Sequence, residues 1–103
     1  MSLAPKRLGM FGGAFDPPHN THAALISLAI TQLQLDELRV VPTGDAWHKP
    51  RELTPASDRV AMATLAFSAM PRVVVDDRET RRTGPSYTVD TLNELRLEFP
   101  AAD

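Results

Sequence analysis

The sequence predicts an α/β fold, a parallel sheet with helices packed on it, in the order βαβαβα. Short apolar runs at Leu8–Phe11, Leu38–Val41 and Val73–Val75 alternate with longer segments whose apolar residues recur at helical spacing. The run Val73-Val74-Val75 is continuous and β-branched, as in a strand buried on both faces. Glycine or proline marks the junctions, and such an alternation implies parallel strands joined by right-handed crossovers.

Arg7 to Phe11 reads as the first strand. Gly12 and Gly13 end it and permit positive φ or a close backbone approach. Pro17-Pro18 bars helix, and Asn20 or Thr21 then caps one. Its apolar segment is Ala23 to Leu35, where Ile26, Ile30 and Leu33 form a stripe widened by Leu25, Leu28 and Ala29. Glu37 to Pro42 is the second strand. Thr43 to Leu53 is a loop with Gly44, Pro50 and the trio Trp47-His48-Lys49. Thr54 as cap and Pro55 at the first helical position open a second helix, about Ala56 to Met70. Val60, Thr64 and Phe67 share one of its faces, with Ala61 and Leu65 beside them, and Pro71 stops it. Arg59 reads as a structural ion-pair residue without a catalytic role. Arg72 to Asp76 is the third strand and Asp77 to Pro85 a charged loop. Ser86-Tyr87-Thr88 begins a third helix with Thr88, Leu92, Leu95 and Phe99 on one face, ended by Pro100.

Composition narrows the function classes. The 103 residues suit one small domain, and 43% hydrophobic content suits a packed core. A net charge of -2 gives no broad attraction to nucleic acid or membrane. The absence of cysteine removes thiolate catalysis, disulfides and cysteine-metal sites. No uncharged apolar run approaches the ~18–20 residues of a membrane span. Met1 to Arg7 is too short and polar for a signal peptide, so a cytoplasmic location is expected.

Chemistry concentrates where the strands end. In parallel sheets ligands bind at the carboxyl ends of the strands. The loops there, Gly12–His22, Pro42–Leu53 and Asp77–Pro85, hold all three histidines and the only tryptophan. A glycine turn leading into a helix start is an anion site, built from backbone N–H groups and the helix dipole. Gly12, Gly13, Ala14 and Phe15 would border a phosphate there. His19 and His22, three residues apart near the helix start, can face the same space and donate to phosphate oxygens. A metal pair or plain loop histidines are the competing readings. Lys49 is a phosphate contact or a solvated loop lysine. Trp47 lines a substrate pocket or covers the sheet edge. Ser86, Tyr87 and Thr88 sit at a helix start suited to a carboxylate, or simply cap it.

The stretch Gly12-Gly13-Ala14-Phe15-Asp16-Pro17-Pro18-His19-Asn20-Thr21-His22 resembles the signature of the HxGH nucleotidyltransferases, written G-G-T-F-D-P-x-H-x-G-H. Trp47-His48-Lys49, Asp76-Asp77-Arg78-Glu79 and Pro85-Ser86-Tyr87-Thr88 with Thr91-Leu92 are similar to the bacterial nicotinate mononucleotide adenylyltransferases within that superfamily. The likeness runs from Leu8 to Phe99. It implies a three-layer, Rossmann-like (HUP-type) parallel sheet of which only the βαβαβα half is present. It further implies adenylyl transfer from ATP to nicotinate mononucleotide, giving deamido-NAD and pyrophosphate in NAD biosynthesis. His19 and His22 are then the catalytic pair. Gly12, Gly13, Ala14, Phe15, the two histidines and Lys49 bind ATP, and Trp47, Ser86, Tyr87 and Thr88 bind the acceptor. Mg²⁺ is expected with ATP, held by phosphates rather than by protein carboxylates. The alternatives are a phosphopantetheine-type adenylyltransferase and a nucleotide-binding fragment without turnover.

Two departures qualify what the resemblance implies. Thr21 stands where the family has glycine between the histidines, adding bulk and restricting backbone angles. Ala14 replaces a threonine near the phosphates. The chain also stops before the family's later strands and its late ATP-binding arginine. A single domain over residues 1–103, truncated at its carboxyl end, is therefore expected, with the first strand at an open edge that invites self-association and without competent turnover alone.

Overall fold

Three parallel strands, β1 (Leu8–Gly13), β2 (Glu37–Pro42) and β3 (Val73–Val75), form a sheet in the order β1-β2-β3. Three helices follow them in turn: α1 (Asn20–Leu33), α2 (Ala56–Phe67) and α3 (Thr88–Glu98). The computed structural model describes residues 5–44, 54–82 and 87–103. The expected βαβαβα order is present, with two changes. β1 runs on through both glycines instead of ending before them, and a short 3-10 helix, Arg78–Arg81, occupies the expected charged loop.

The register fixes which side chains meet which helix. Phe11 pairs with Val40, Gly13 with Pro42, and Val40 with Val75. Alternation puts Leu38 and Val40 on one face of β2 and Arg39 on the other. Leu38 and Val40 join Ile26 of α1 and Ala63 and Phe67 of α2 in the main core, with Phe15, Leu35 and Val73. On the opposite face the Arg39 guanidinium lies 5.2 Å from the ring centre of Phe99, just beyond α3. The sheet therefore has α1 and α2 on one side and α3 on the other.

The helix stripes differ from the hydrophobic pattern at three places. On α1, Ile26 is fully buried and Ala23, Ala29 and Ile30 pack on the core, but Leu25, Leu28 and Leu33 are exposed. On α2 the inward residues are Ala56, Arg59, Ala63 and Phe67, while Leu65 is 87% exposed. This helix is turned by a buried guanidinium, which a search for apolar periodicity places outside. On α3, Thr91 and Leu95 face inward and Thr88 and Leu92 are exposed, because Thr91 has polar partners beneath it.

β1 is an edge strand, as expected. At its start Leu8 N–H donates to the Asp103 carbonyl at 2.9 Å and Asp103 N–H donates to the Lys6 carbonyl at 2.9 Å. This is the pattern of a parallel bridge, on the side of β1 away from β2.

An ionic network ties β2, β3 and α3 together. Asp76 accepts from the Arg78 Nε at 3.0 Å and from Arg39 at 3.3 Å, and Arg78 reaches Glu98 as well. Burial raises the Asp76 pKa, but hydrogen bonding and charge from Arg78, aided by Arg39, outweigh it, so the carboxyl lies below its ordinary range. Glu98 is lowered chiefly by its hydrogen bond to Arg78, and Arg78 itself is raised.

Candidate functional site

The site is built at the carboxyl ends of β1 and β2. The Thr43 N–H donates to the Gly13 carbonyl at 2.9 Å, carrying the parallel pairing one residue past the strands. Neither Gly12 nor Gly13 needs positive φ. A Cβ on Gly12 would meet nothing closer than Met10 Cε at 3.6 Å, so the fold itself does not demand glycine there. In this turn the residue with positive φ is Phe15, at 51°. Left-handed backbone costs a non-glycine residue roughly 1–2 kcal/mol. Burying the Phe15 ring recovers about 2 kcal/mol; it packs edge-on to Phe11 at 5.4 Å and Phe67 at 5.8 Å.

His19, not Asn20 or Thr21, is the N-cap of α1, with extended backbone (φ -148°, ψ 178°). Its N–H donates to His22 Nδ1 at 3.1 Å, and the two imidazoles stack with centroids 4.0 Å apart and planes 24° apart. His22 also meets Phe15 at 5.0 Å. Burial, and then the charge of His19, hold the His22 pKa below its ordinary value. Since Nδ1 accepts, the neutral ring carries its proton on Nε2. The first turn of α1 contains no acidic residue, whereas those of α2 and α3 contain Asp58 and Asp90. The α1 start therefore keeps its partial positive charge available.

At the ends of the same strands an open cleft of about 440 Å³ is lined by Met10, Gly12, Gly13, Thr43, Glu79, Thr88 and Leu92. All three loop regions named from the sequence contribute to this one space. Gly44 lets the second loop reach the third, since a Cβ on it would lie 2.6 Å from the Glu79 carbonyl oxygen. Glu79 is buried and accepts from Thr91 Oγ1 at 2.6 Å, while Thr91 Oγ1 accepts from Arg82 at 2.9 Å. Among the described residues no group of three histidines or carboxylates converges as a metal site.

Of the expected site residues, Gly12, Gly13 and Thr88 share the cleft, and His19 and His22 stack at the start of α1. Ala14 turns its carbonyl toward Arg59 at 3.1 Å, and the Phe15 side chain belongs to the core. Tyr87 is exposed as the N-cap of α3. Trp47, Lys49 and Ser86 lie outside the described residues.

A family model described as cytidylyltransferase-like matches residues 10–101. The chain belongs to this cytidylyltransferase-like family. It is 65% identical over 98 residues to a probable nicotinate-nucleotide adenylyltransferase of Albidiferax ferrireducens, covering 95% of this chain and 50% of that protein. It is 45% identical over 103 residues to a probable nicotinate-nucleotide adenylyltransferase of Methylibium petroleiphilum, covering 99% of this chain and 49% of that protein. In fold it is similar to Plasmodium falciparum nicotinic acid mononucleotide adenylyltransferase complexed with NaAD. That match has a TM-score of 0.77 at 22% identity and covers 94% of this chain and 48% of that one. The chain spans about half the length of the curated relatives it matches.

Sequence reasoning missed part of how this cytidylyltransferase-like site is held. Arg59 is fully buried and donates to the carbonyls of Thr54 at 2.7 Å, Ala14 at 3.1 Å and Thr43 at 2.7 Å. Asp16 accepts the Thr54 N–H at 2.8 Å. The available signal was Arg59 standing four residues before Ala63 and eight before Phe67, a charge in register with small and aromatic inward positions.

Proposed function

We propose that this chain carries the ATP-phosphate site and part of the acceptor site of a nicotinate mononucleotide adenylyltransferase. The reaction moves AMP from ATP to nicotinate mononucleotide. A phosphate oxygen of the mononucleotide attacks the α-phosphorus of ATP, the bond to the bridging oxygen breaks, and pyrophosphate leaves with that electron pair. The products are deamido-NAD and pyrophosphate. The attacking oxygen is already anionic, so no strong base is needed. Catalysis then rests on positioning and on stabilising charge in a phosphoryl-type transition state.

The observation that carries the reading is the pairing of stacked His19 and His22 with an α1 start free of acidic residues, at the end of the glycine-bearing strand. In this reading His22 donates Nε2–H to an ATP phosphate, His19 assists, and backbone N–H groups from Gly12 to Phe15 border the nucleotide. Lys49 adds a positive charge. Trp47, Ser86, Tyr87 and Thr88 are assigned to binding the nicotinate nucleotide, with the α3 start suited to its carboxylate. Mg²⁺ enters as part of the ATP substrate, on the phosphates. Glu79, the one carboxylate among the described cleft residues, is already engaged by Thr91. The whole reaction belongs to a protein of the relatives' length, and the isolated chain is expected to bind without robust turnover. Self-association along the β1 edge is part of the same proposal.

An acceptor panel tests it. Nicotinate mononucleotide should bind the ATP-loaded chain, and phosphopantetheine should not. Binding of phosphopantetheine alone would move the chain to another branch of adenylyltransferases. Robust pyrophosphate release by the chain alone would overturn the assignment of turnover to the longer protein.

A further inference from the structure

The inward face of α2 is apolar at Ala56, Ala63 and Phe67, yet Arg59 lies among them, fully buried. A buried guanidinium is a costly way to fill a space that an apolar side chain of similar volume would fill. Its hydrogen bonds show what it does. Nη1 takes the Ala14 carbonyl, just past β1, and the Thr43 carbonyl, just past β2, while Nε takes the Thr54 carbonyl before α2. Arg59 thus gathers the segments that follow both strands of the cleft.

We infer that Arg59 is a positioning residue for the phosphate loop, drawing two carbonyl oxygens into the core and so turning the Phe15 and Gly44 N–H groups toward ligand. The step from carbonyl to N–H is geometric. In a planar trans peptide the C=O and the next N–H point in opposite directions. The only cis bond among the described residues is Asp16–Pro17, so Ala14–Phe15 and Thr43–Gly44 are trans. Each carbonyl held by Arg59 therefore sends the following N–H away from it. A carbonyl released from Arg59 would present its negative end to the phosphates and withdraw that donor. The positive φ of Phe15 and the close seating of Gly44 on Glu79 hold the same two peptides from their other ends.

The inference rests on the phosphate reading of Gly12 to His22, and one experiment separates the two. The ¹⁵N-labelled chain is titrated with ATP and followed by amide chemical shifts, alongside Arg59→Lys, whose single ammonium cannot span the three carbonyls, and Val73→Ala, a core change remote from the site. The expected result is saturable shifts at Phe15 and Gly44 in the natural chain. Arg59→Lys should bind ATP at least about tenfold more weakly and lose those two shifts. Val73→Ala should be less stable but bind as before. ATP binding that leaves the Phe15 and Gly44 amides unmoved overturns the inference while sparing the phosphate site, and so does natural affinity in Arg59→Lys. If Arg59→Lys does not fold, the two amides of the natural chain still decide. No ATP-dependent shift anywhere in the natural chain removes the phosphate reading and this inference with it.

Discussion

His22 Nδ1 accepts the backbone N–H of His19 at 3.1 Å, so one bond both starts α1 and sets the tautomer of the His22 imidazole. The same residue thus has a structural task on Nδ1 and, under the proposed function, a chemical one on Nε2. Substitution can separate them.

His22→Gln keeps an acceptor at the third position of the helix, where glutamine serves in capping boxes. It should unfold near the natural temperature yet bind ATP at least about tenfold more weakly. His22→Ala should lose both functions, with a stability cost of about 1 kcal/mol from the lost cap. Thermal unfolding and equilibrium dialysis with ATP check the pair. Natural affinity in His22→Gln would show that the ring is only a cap.

The pH dependence follows from the lowered His22 pKa. The folded state prefers the neutral ring, so the unfolded chain takes up the proton first as pH falls. The contribution of His22 to stability is therefore complete above its ordinary value of 6.5 and is lost as pH falls from there toward the lower folded pKa. Protonation at Nδ1 would also break the cap. Imidazole ¹⁵N spectra should show an unprotonated Nδ1 at neutral pH and a midpoint below 6.5. A midpoint above that value would contradict the half-buried, His19-facing environment.

Asp76→Asn should cost about 3 kcal/mol at neutral pH, because it leaves two arginines facing a neutral amide. The Asp76 pKa is depressed, so its contribution is present above the unfolded value of 3.8 and lost as pH falls through the lower folded one. Urea unfolding at both ends of that range should show a large difference from the natural chain at neutral pH and a small one in acid. A cost below about 0.5 kcal/mol at neutral pH would mark the network as a solvated surface pair.

Thr21 lies in the first turn of α1 with helical backbone, so glycine is not needed there for its angles and only the steric part of the expectation stands. Thr21→Gly should tighten ATP binding through closer approach, despite a small helix penalty of a few tenths of a kcal/mol. Unchanged affinity would show that the threonine methyl and hydroxyl do not meet the nucleotide.

The order of strands and helices was legible because Val73-Val74-Val75 and Leu38-Arg39-Val40-Val41 bear strand signatures between proline and glycine stops. The convergence of three loops was legible because parallel topology sends all strand ends to one side. The supports were not. Arg59 and Thr91 are polar residues facing inward, each held by partners 45 or 12 residues away in sequence, Ala14 and Glu79. No local periodicity reports such pairings. The helix start was misplaced by one or two residues because a histidine cap depends on the ring three positions later. Phe15 was read as backbone beside glycines, whereas its buried ring is what holds the loop in a left-handed conformation.

The central claim, that Gly12 to His22 holds the phosphates of ATP, meets its most direct test in calorimetric titration of ATP into the natural chain and His22→Ala. One saturable site in the natural chain, weakened at least about tenfold in His22→Ala, is the predicted result. Equal affinity in the two, or no heat of binding in the natural chain, would contradict it.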